Sequence, residues 1–396
     1  MIEFKLPSLG ADMDKGKLLE WRVKPGDPVK RGDIVAVVDT SKVAVDVEIW
    51  NDGTVYQLIA QPGVTIPVGT VIATLLAPGE TVEAAEAERR SRPSPPAEAV
   101  AAEAAPVAAA AAPAVAAGER RRVSPVARRR AAELGVDAET VAGTGPHGSV
   151  TLEDVERAAA AAKAAPAVPA DVQAEKQAEM RRAIAAAMSR SKREIPHYYL
   201  SELVPLQAAT DWLAAENAKR SLTERLLMAS LFLKAVALAC VKYPDMNGLY
   251  REGRFEPGAS VHVGVAVSLR QGGLIAPAIH EAAKKTLTQL MRDLTDLVKR
   301  TRAGSLRSSE MSDPTITVTN LGDQGVDAVF GVIYPPQVAL VGFGRVEERP
   351  CVIEGGLRII PAVTASLAAD HRVSDGHRGA LFLAEIRRLM QQPETL

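Results

Sequence analysis

Two residues stand in contexts that favour chemistry: a histidine near the C-terminus and a lysine near the N-terminus. His371 follows the small and apolar run VTASLAAD and precedes Arg-Val-Ser-Asp-Gly. A histidine at a predicted strand end, ahead of a glycine turn, is a common mount for a general base. An imidazole titrates near pH ~6.5 and a thiol near pH ~8.5, so proton transfer between them is nearly balanced at neutral pH. The pattern indicates a base that acts on a thiol. The remaining histidines lack such a context and are interpreted as structural: His147, His197, His262, His280 and His377.

Lys42 ends the polar stretch Asp-Thr-Ser-Lys, which separates the runs VAVV and VAVDVEI. A polar turn between two β-rich runs predicts a hairpin with Lys42 at its tip. An exposed amine on a rigid tip suits the attachment of a swinging group. The alternative is an ordinary solvated lysine.

The residues around Lys42 form an internal repeat. GKLLEWRVKPGDPVKRGDIVAVV from Gly16 aligns without gaps on GTVYQLIAQPGVTIPVGTVIATL from Gly53. Each half contains short strand patterns broken by Pro-Gly turns, so the repeat predicts an all-β unit built twice.

Two tracts rich in alanine and proline divide the chain, and they have the composition of linkers. We therefore predict five segments. They are a β domain over 1–78, a linker over 79–120, a small helical domain over 121–157, a second linker over 158–175 and a large domain over 176–396.

The small helical domain combines an N-cap signal with a basic run. Thr151 and Asp154 offer a cap and a first-turn acid for its second helix. Arg128, Arg129 and Arg130 are candidates for pairing with an acidic partner surface, with a solvated charge run as the alternative.

The large domain mixes helical and strand-like patterns, which predicts an α/β sandwich, a sheet covered by helices. Helices are predicted over 175–192, 223–242, 286–303 and 379–390. Strands are predicted over 260–269, 315–319, 337–342 and 358–368.

Composition excludes several classes of protein. A formal net charge of -1 gives no overall attraction to nucleic acid or to an anionic membrane. Cys240 and Cys351 lie far apart in sequence, which indicates reduced thiols and no metal site. The N-terminus has no pattern of a secretory or transit peptide, so we expect a cytoplasmic protein.

The three domains resemble those of the dihydrolipoamide acyltransferases of 2-oxo acid dehydrogenase complexes. A duplicated flattened barrel with a lysine at its linking hairpin resembles a lipoyl or biotinyl carrier domain, and Ser41 and Val43, where biotin carriers have methionines, favour lipoyl. The pattern S-P-x-A-R…G-T-G-P-x-G…D-V resembles the peripheral-subunit-binding domain. D-H-R-x-x-D-G resembles the hallmark of the catalytic domain, which is related in fold to chloramphenicol acetyltransferase.

The resemblance implies a role for each matching residue. His371 would take the proton from the thiol of coenzyme A, and Asp375 would hold the loop and its charges in place. Thr319 stands where the family has a serine or threonine that donates to an oxyanion. Asn320 and Ser189 would line the coenzyme A channel, and Lys42 would carry lipoate.

The resemblance also implies partners: the 2-oxo acid decarboxylase, dihydrolipoamide dehydrogenase, and copies of the chain in trimers that form a cubic core, with active sites between subunits. Acetyl is the favoured acyl group; branched-chain acyl, succinyl and acetoin-derived acetyl stay open. Two different functions compete with acyl transfer, namely a non-catalytic lipoyl scaffold and a biotin-dependent carrier.

Overall fold

The computed structural model describes residues 1–8, 13, 15–40, 44–77, 80, 126–127, 130–131, 143–145, 149–163, 170–269, 273–353 and 355–396. The chain divides into two compact units. One comprises residues 1–92 together with 176–396, and the other comprises 93–175.

Within the described residues, the N-terminal domain has eight strands in two sheets. The strands are β1 (Ile2–Lys5), β2 (Lys15–Trp21), β3 (Pro28–Val29), β4 (Ile34–Asp39), β5 (Ala44–Glu48), β6 (Gly53–Leu58), β7 (Thr65–Pro67) and β8 (Val71–Leu76). One sheet has the order β1-β8-β6-β3, and the strands that this domain contributes to the other sheet have the order β5-β4-β2-β7. Their inward apolar side chains form one core that includes Leu18, Val45 and Leu75.

The predicted duplication is confirmed by matching hydrogen bonds in the two halves. Gly26 donates its N–H to the Val55 carbonyl over 2.7 Å, and Gly63 donates to the Leu18 carbonyl over 2.7 Å. The two glycines share a positive φ, 96° and 91°, which favours glycine at both turns. The halves are therefore copies in three dimensions.

The predicted closure of this domain into a flattened barrel is not seen. Among the described residues no strand ladder joins the two sheets, so the domain is a sandwich of open sheets. The physical reason is length, since the edge strands β3 and β7 have only two and three residues. Strands this short cannot continue a ladder around a corner.

In the second unit, helix α1 (Leu152–Lys163) begins at the predicted cap. Asp154 donates its N–H to the Thr151 hydroxyl over 3.3 Å, and its carboxylate accepts the Thr151 N–H over 3.0 Å. The same carboxylate accepts the Thr144 N–H over 2.8 Å. These bonds lower the pKa of Asp154, which keeps the cap charged.

The C-terminal domain has six helices and twelve strands within the described residues. The helices are α2 (Ala170–Glu194), α3 (Gln207–Ala218), α4 (Met228–Lys242), α5 (Leu287–Ala303), α6 (Ser308–Ser312) and α7 (Gly376–Gln391). The strands are β9 (His197–Pro205), β10 (Gly248–Arg251), β11 (Arg254–Pro257), β12 (Val263–Val265), β13 (Val267–Ser268), β14 (Leu274–Ile275), β15 (Ala278–Ile279), β16 (Leu306–Arg307), β17 (Ile316–Asn320), β18 (Ala339–Phe343), β19 (Glu347–Ile353) and β20 (Gly356–Asp370).

The main sheet has the order β15-β12-β17-β18-β20-β19, with β9 paired to β20. Strands β12, β17 and β18 are parallel, and β20 is antiparallel to β18. Helices α4, α5 and α7 pack on the sheet in one core, where Phe232 of α4 stacks on Phe343 of β18 at a ring-centroid distance of 4.2 Å. The predicted α/β sandwich is therefore confirmed.

Among the elements that were not predicted are β9 and α3. Strand β9 runs His-Tyr-Tyr-Leu-Ser-Glu-Leu-Val-Pro and pairs with β20 over nine residues, from His197 opposite Asp370 to Pro205 opposite Ala362. Its stability comes from this distant ladder, which its own composition does not reveal. Helix α7 packs close to β9 because Gly379 has no side chain; a Cβ there would lie 2.9 Å from Leu200.

Helix α4 begins at Met228 and not at the predicted residue 223, since residues Leu222–Glu224 form a separate 3-10 turn. None of the described helices is both long enough and apolar enough to cross a bilayer.

Candidate active site

His371 is the first residue after β20, and its backbone is held by the chain that enters β9. The His371 N–H donates to the Pro196 carbonyl over 3.0 Å. Its imidazole is exposed and meets the Tyr198 ring edge-on, with 5.2 Å between ring centroids. The structure therefore fixes the position of the ring while leaving it open to a second reactant.

The residues on either side of His371 form a fork-shaped ion pair. The buried Asp370 carboxylate accepts the Arg372 guanidinium through Nε at 3.0 Å and Nη2 at 2.7 Å, and the Arg372 N–H at 2.9 Å. Arg372 also lies over the Tyr250 ring at 3.9 Å. The hydrogen bond to Asp370 raises the pKa of Arg372. This pair constrains the backbone at the strand end.

Two further groups fix the loop after His371. The Tyr198 hydroxyl shares a 2.8 Å hydrogen bond with the Ser374 hydroxyl, and burial raises the pKa of Tyr198. Asp375 caps α7 by accepting the Arg378 N–H over 2.9 Å. That bond lowers the pKa of Asp375, so the cap is a carboxylate at neutral pH.

His197 has a structural environment, as predicted. Its Nε2 accepts the Ile333 N–H over 3.1 Å, which requires the proton on Nδ1, 2.8 Å from the Ile195 carbonyl. Burial lowers the pKa of His197. This ring is neutral and occupied on both nitrogens.

Thr319 is buried on β17, but one chain does not bring it to His371. Thr319 lies opposite Gly342, Gly342 lies opposite Ser366, and His371 comes five residues after Ser366. At ~3.4 Å per residue and ~4.8 Å per strand, the two residues are about 17 Å apart along the strands and about 10 Å across the sheet. A hydroxyl must come within ~3 Å of the oxyanion that it stabilises.

Asn320 and Ser189, predicted at a coenzyme A channel, are both exposed. The Asn320 side-chain oxygen accepts the Gly322 N–H over 2.9 Å, which shapes the turn after β17. Ser189 lies on α2, and among the described residues no contact joins it to Asn320. Each remains a prediction.

Three of the predicted residues lie outside the described residues: Lys42, Arg128 and Arg129. Arg130 is described, and its Nε lies 3.4 Å from the Glu156 carboxylate. Its guanidinium therefore has an intradomain partner as well as a partly exposed surface.

Tyr198, Asp370 and Arg372 were not predicted as site residues. The last two are part of the D-H-R pattern, so an acid and a base flanking the histidine were an available signal. No sequence signal pointed to Tyr198, because its approach to His371 depends on the pairing of β9 with β20.

Comparison with known proteins decides the family. A model described as 2-oxoacid dehydrogenases acyltransferase (catalytic domain) matches residues 169–396, more than half of the chain. The chain belongs to the 2-oxoacid dehydrogenase acyltransferase family. It is thus an acyltransferase, as predicted, and not a non-catalytic scaffold. A biotin and lipoyl attachment model, described as biotin-requiring enzyme, matches residues 2–75 of this acyltransferase, and an e3 binding domain model matches 121–156.

Curated relatives match the acyltransferase along nearly its whole length. The dihydrolipoyllysine-residue acetyltransferase component of the pyruvate dehydrogenase complex from Zymomonas mobilis is 31% identical, over 99% of this chain and 98% of its own length. Proteins with the same name from Rhizobium meliloti and Staphylococcus aureus Mu50 are 34% and 32% identical, over 99% and 100% of this chain and 98% of their own lengths.

Solved structures match in fold. A probable dihydrolipoamide acetyltransferase from Listeria monocytogenes has a TM-score of 0.51 at 28% identity, covering 54% of this chain and 91% of its own. The dihydrolipoamide acetyltransferase of Azotobacter vinelandii has a TM-score of 0.52 at 25% identity, covering 55% and 90%. That structure was determined to investigate a serine, a histidine and an asparagine in catalysis, the serine 52 positions before the histidine and the asparagine four after it. The cubic core of a pyruvate dehydrogenase multienzyme complex has a TM-score of 0.52 at 26% identity, covering 55% and 90%.

The N-terminal domain of the acyltransferase carries lipoate, and coenzyme A is the acyl acceptor. The described residues fit such a mount. Strands β4 and β5 pair up to Asp39 opposite Ala44, and Val38 and Val45 beneath that pair are buried. In sequence, Lys42 lies between these two paired strands, whose ends rest on a packed base.

Proposed function

We propose that this chain transfers an acetyl group from a lipoyl group on Lys42 to coenzyme A, with His371 as the general base. The observation that carries the proposal is the mounting of His371, whose backbone is clamped at Pro196 and between Asp370 and Arg372 while its ring stays exposed. The bound lipoyl group supplies a thioester that can give up its acyl group to another thiol.

The chain's own residues handle the proton and the developing charge. His371 accepts the proton of the coenzyme A thiol as its sulfur attacks the acyl carbon, since imidazole and thiol have similar proton affinities. His371 then returns that proton to the dihydrolipoyl sulfur as the bond between that sulfur and the acyl carbon breaks. The Thr319 hydroxyl donates to the oxygen that gains negative charge, a contribution of about 2.7–4 kcal/mol to the barrier in comparable sites. Asp375 caps α7 and keeps the loop after His371 in place.

The assignment of Thr319 and Asp375 is supported by their spacing. Thr319 precedes His371 by 52 positions and Asp375 follows it by four, the same offsets as the serine and the asparagine investigated in the Azotobacter vinelandii enzyme. Threonine keeps the hydroxyl of serine and adds a methyl group.

The separation of Thr319 and His371 within one chain supports an active site between two copies. A distance of about 17 Å along the strands is too long for one chain to present both groups to the same acyl carbon. We therefore propose that the chain assembles into trimers and a larger core, in keeping with the cubic core among its structural relatives.

We further propose the partners of the complex. The helical domain matches an e3 binding domain, which favours dihydrolipoamide dehydrogenase, with Arg128, Arg129 and Arg130 facing its acidic groups. The decarboxylase would load the lipoyl group. We propose acetyl as the acyl group and pyruvate as the 2-oxo acid, because the curated relatives are named as acetyltransferase components of pyruvate dehydrogenase complexes. The cytoplasmic location stays a prediction of the sequence.

Co-expression of two inactive variants tests the two-copy site. His371→Ala and Thr319→Ala chains alone should each lose at least ~100-fold in transfer from acetyl-CoA to dihydrolipoamide. If His and Thr act from different copies, random co-assembly regenerates about one site in four. Mixed assemblies without activity would contradict the arrangement, and near-normal turnover of His371→Ala would contradict the base.

A panel of acyl-CoAs tests the substrate. With the full chain, acetyl-CoA should have the highest kcat/KM, and Thr319→Ser should retain activity because the hydroxyl is kept. A preference for succinyl-CoA or a branched acyl-CoA would overturn the acetyl assignment.

A further inference from the structure

Strand β5 of the lipoyl domain does not end its sheet, because the C-terminal domain adds a strand to it. β16 pairs with β5 in parallel, with Leu306 opposite Val45 and Arg307 opposite Asp46. An open edge strand presents unpaired N–H and C=O groups and recruits another strand. The C-terminal domain therefore binds the lipoyl domain by strand addition.

A buried carboxylate lies at the centre of this contact. Glu48 is only 7% exposed, and its carboxylate accepts the Ser309 N–H over 3.2 Å. The Ser308 hydroxyl accepts the Glu48 N–H over 3.1 Å and lies 3.5 Å from the carboxylate. A buried charge is costly without such donors, so the contact is specific to this pairing.

The receiving segment is held in shape by its own domain. Arg300 of α5 grips the Glu310 carboxylate with two hydrogen bonds of 2.7 and 2.5 Å, and Glu310 also accepts the Arg307 N–H over 2.9 Å. Met311 packs against the apolar cores of both domains. The surface formed by residues 306–311 is thus preorganised to receive β5.

We propose that residues 306–311 are a docking surface for the lipoyl domain of the same chain. Strand β5 begins two residues after Lys42, so docking anchors the base of the swinging arm on the catalytic domain. The same arrangement leaves a cavity of about 540 Å³ lined by Ser8 of the lipoyl domain and by Tyr250 and Arg372 beside His371. The lipoyl domain therefore has a defined resting position on the catalytic domain, from which it must detach to visit other enzymes.

A disulfide trap on the full chain tests the docking. Ser308 and Glu48 are close enough for cysteines at both positions to meet, and the native Cys240 and Cys351 are buried. Glu48→Cys with Ser308→Cys should form an intrachain disulfide under mild oxidation. The matched control pairs Ser308→Cys with Glu3→Cys, which lies on β1 in the other sheet.

If the Glu48→Cys, Ser308→Cys variant formed no more disulfide than the control variant, the proposal would be overturned. A disulfide between chains, seen as a larger species without reductant, would overturn docking within one chain. Neither outcome depends on acyl transfer, so the test is independent of the proposed function.

Hydrogen exchange gives a second measurement. Glu48→Arg should speed exchange of the β5 amides and of residues 306–311 roughly tenfold or more, while Glu3→Arg should leave them unchanged. Transfer to free dihydrolipoamide should be unchanged in both variants. Unchanged exchange in a folded Glu48→Arg protein would also overturn the docking surface.

Discussion

At the scale of residues, the position of His371, the proposed base, depends on its neighbours. The Asp370 carboxylate accepts hydrogen bonds from both the backbone N–H and the guanidinium of Arg372. The Tyr198 ring contacts the His371 imidazole edge-on. Asp370 is fully buried, so its charge is stable only while Arg372 neutralises it.

Removal of Arg372 should therefore destabilise the fold. We expect Arg372→Met to lower the free energy of unfolding by about 3 kcal/mol, because a buried carboxylate loses its partner. Urea denaturation would measure the change.

The control is Arg190→Met. Its partner Glu194 and Arg190 itself are about half-exposed, at 52% and 48%, so the expected change is under about 1 kcal/mol. Equal losses in the two variants would contradict the importance of burial at Asp370.

At the scale of elements, β20 and α7 place the site between them. β20 is fifteen residues long, and its C-terminal end next to His371 pairs with β18 on one side and with β9 on the other. Helix α7 begins five residues after His371, and its first turn is capped by Asp375. The short loop between the two elements has little freedom to move.

Two substitutions of Asp375 distinguish the effect of its helix-capping hydrogen bond from the effect of its negative charge. Asn is as good an N-cap as Asp, so Asp375→Asn should keep both Tm and kcat close to those of the unchanged chain, whereas Asp375→Ala should lower both. Thermal melts and steady-state transfer assays would measure the two effects. A large loss of kcat in Asp375→Asn with an unchanged Tm would show that the charge itself is required.

The pKa of Asp375 gives the sign of a pH effect. The folded-state pKa is lowered by the Arg378 N–H, so the stabilisation is present above the unfolded value of ~3.9 and is lost as the pH falls towards the folded value. Asp375→Asn should flatten this part of the stability profile below pH ~4. A profile unchanged by the substitution would contradict the cap's ionisation.

At the scale of the whole molecule, the chain joins a lipoyl domain to a catalytic domain through a proline-rich tract and a small binding domain. Coupling between distant sites then depends on the arm and not on the catalytic residues. This separation predicts that turnover of the 2-oxo acid by the whole complex can be lost while acyl transfer to free dihydrolipoamide is kept.

Lys42→Arg should abolish overall turnover of the 2-oxo acid by the reconstituted complex, because arginine offers no amine for lipoate. Transfer to free dihydrolipoamide should stay within about twofold of normal, since the catalytic residues are untouched. Lys17→Arg on β2 is the matched control, an exposed lysine of the same domain. Loss of both activities in Lys42→Arg would contradict the division of labour.

The three domains and the motif around His371 were predictable because their signals are local. The repeat from Gly16 and Gly53, the cap at Thr151 and the motif around His371 each depend on residues near one another in sequence. Strands β17 and β18 and the second half of β20 were also predictable, because each is a continuous run of small, apolar or β-branched residues.

Only the tertiary structure decided what depends on pairing across the chain. Strand β9, the contact of Tyr198 with His371, the separation of Thr319 from His371 and the addition of β16 to β5 all join residues that are distant in sequence. Local propensity carries no information about which strand a given edge will meet. The packing of the whole domain decides which strands pair. The proposed site between copies and the proposed docking surface both depend on those pairings.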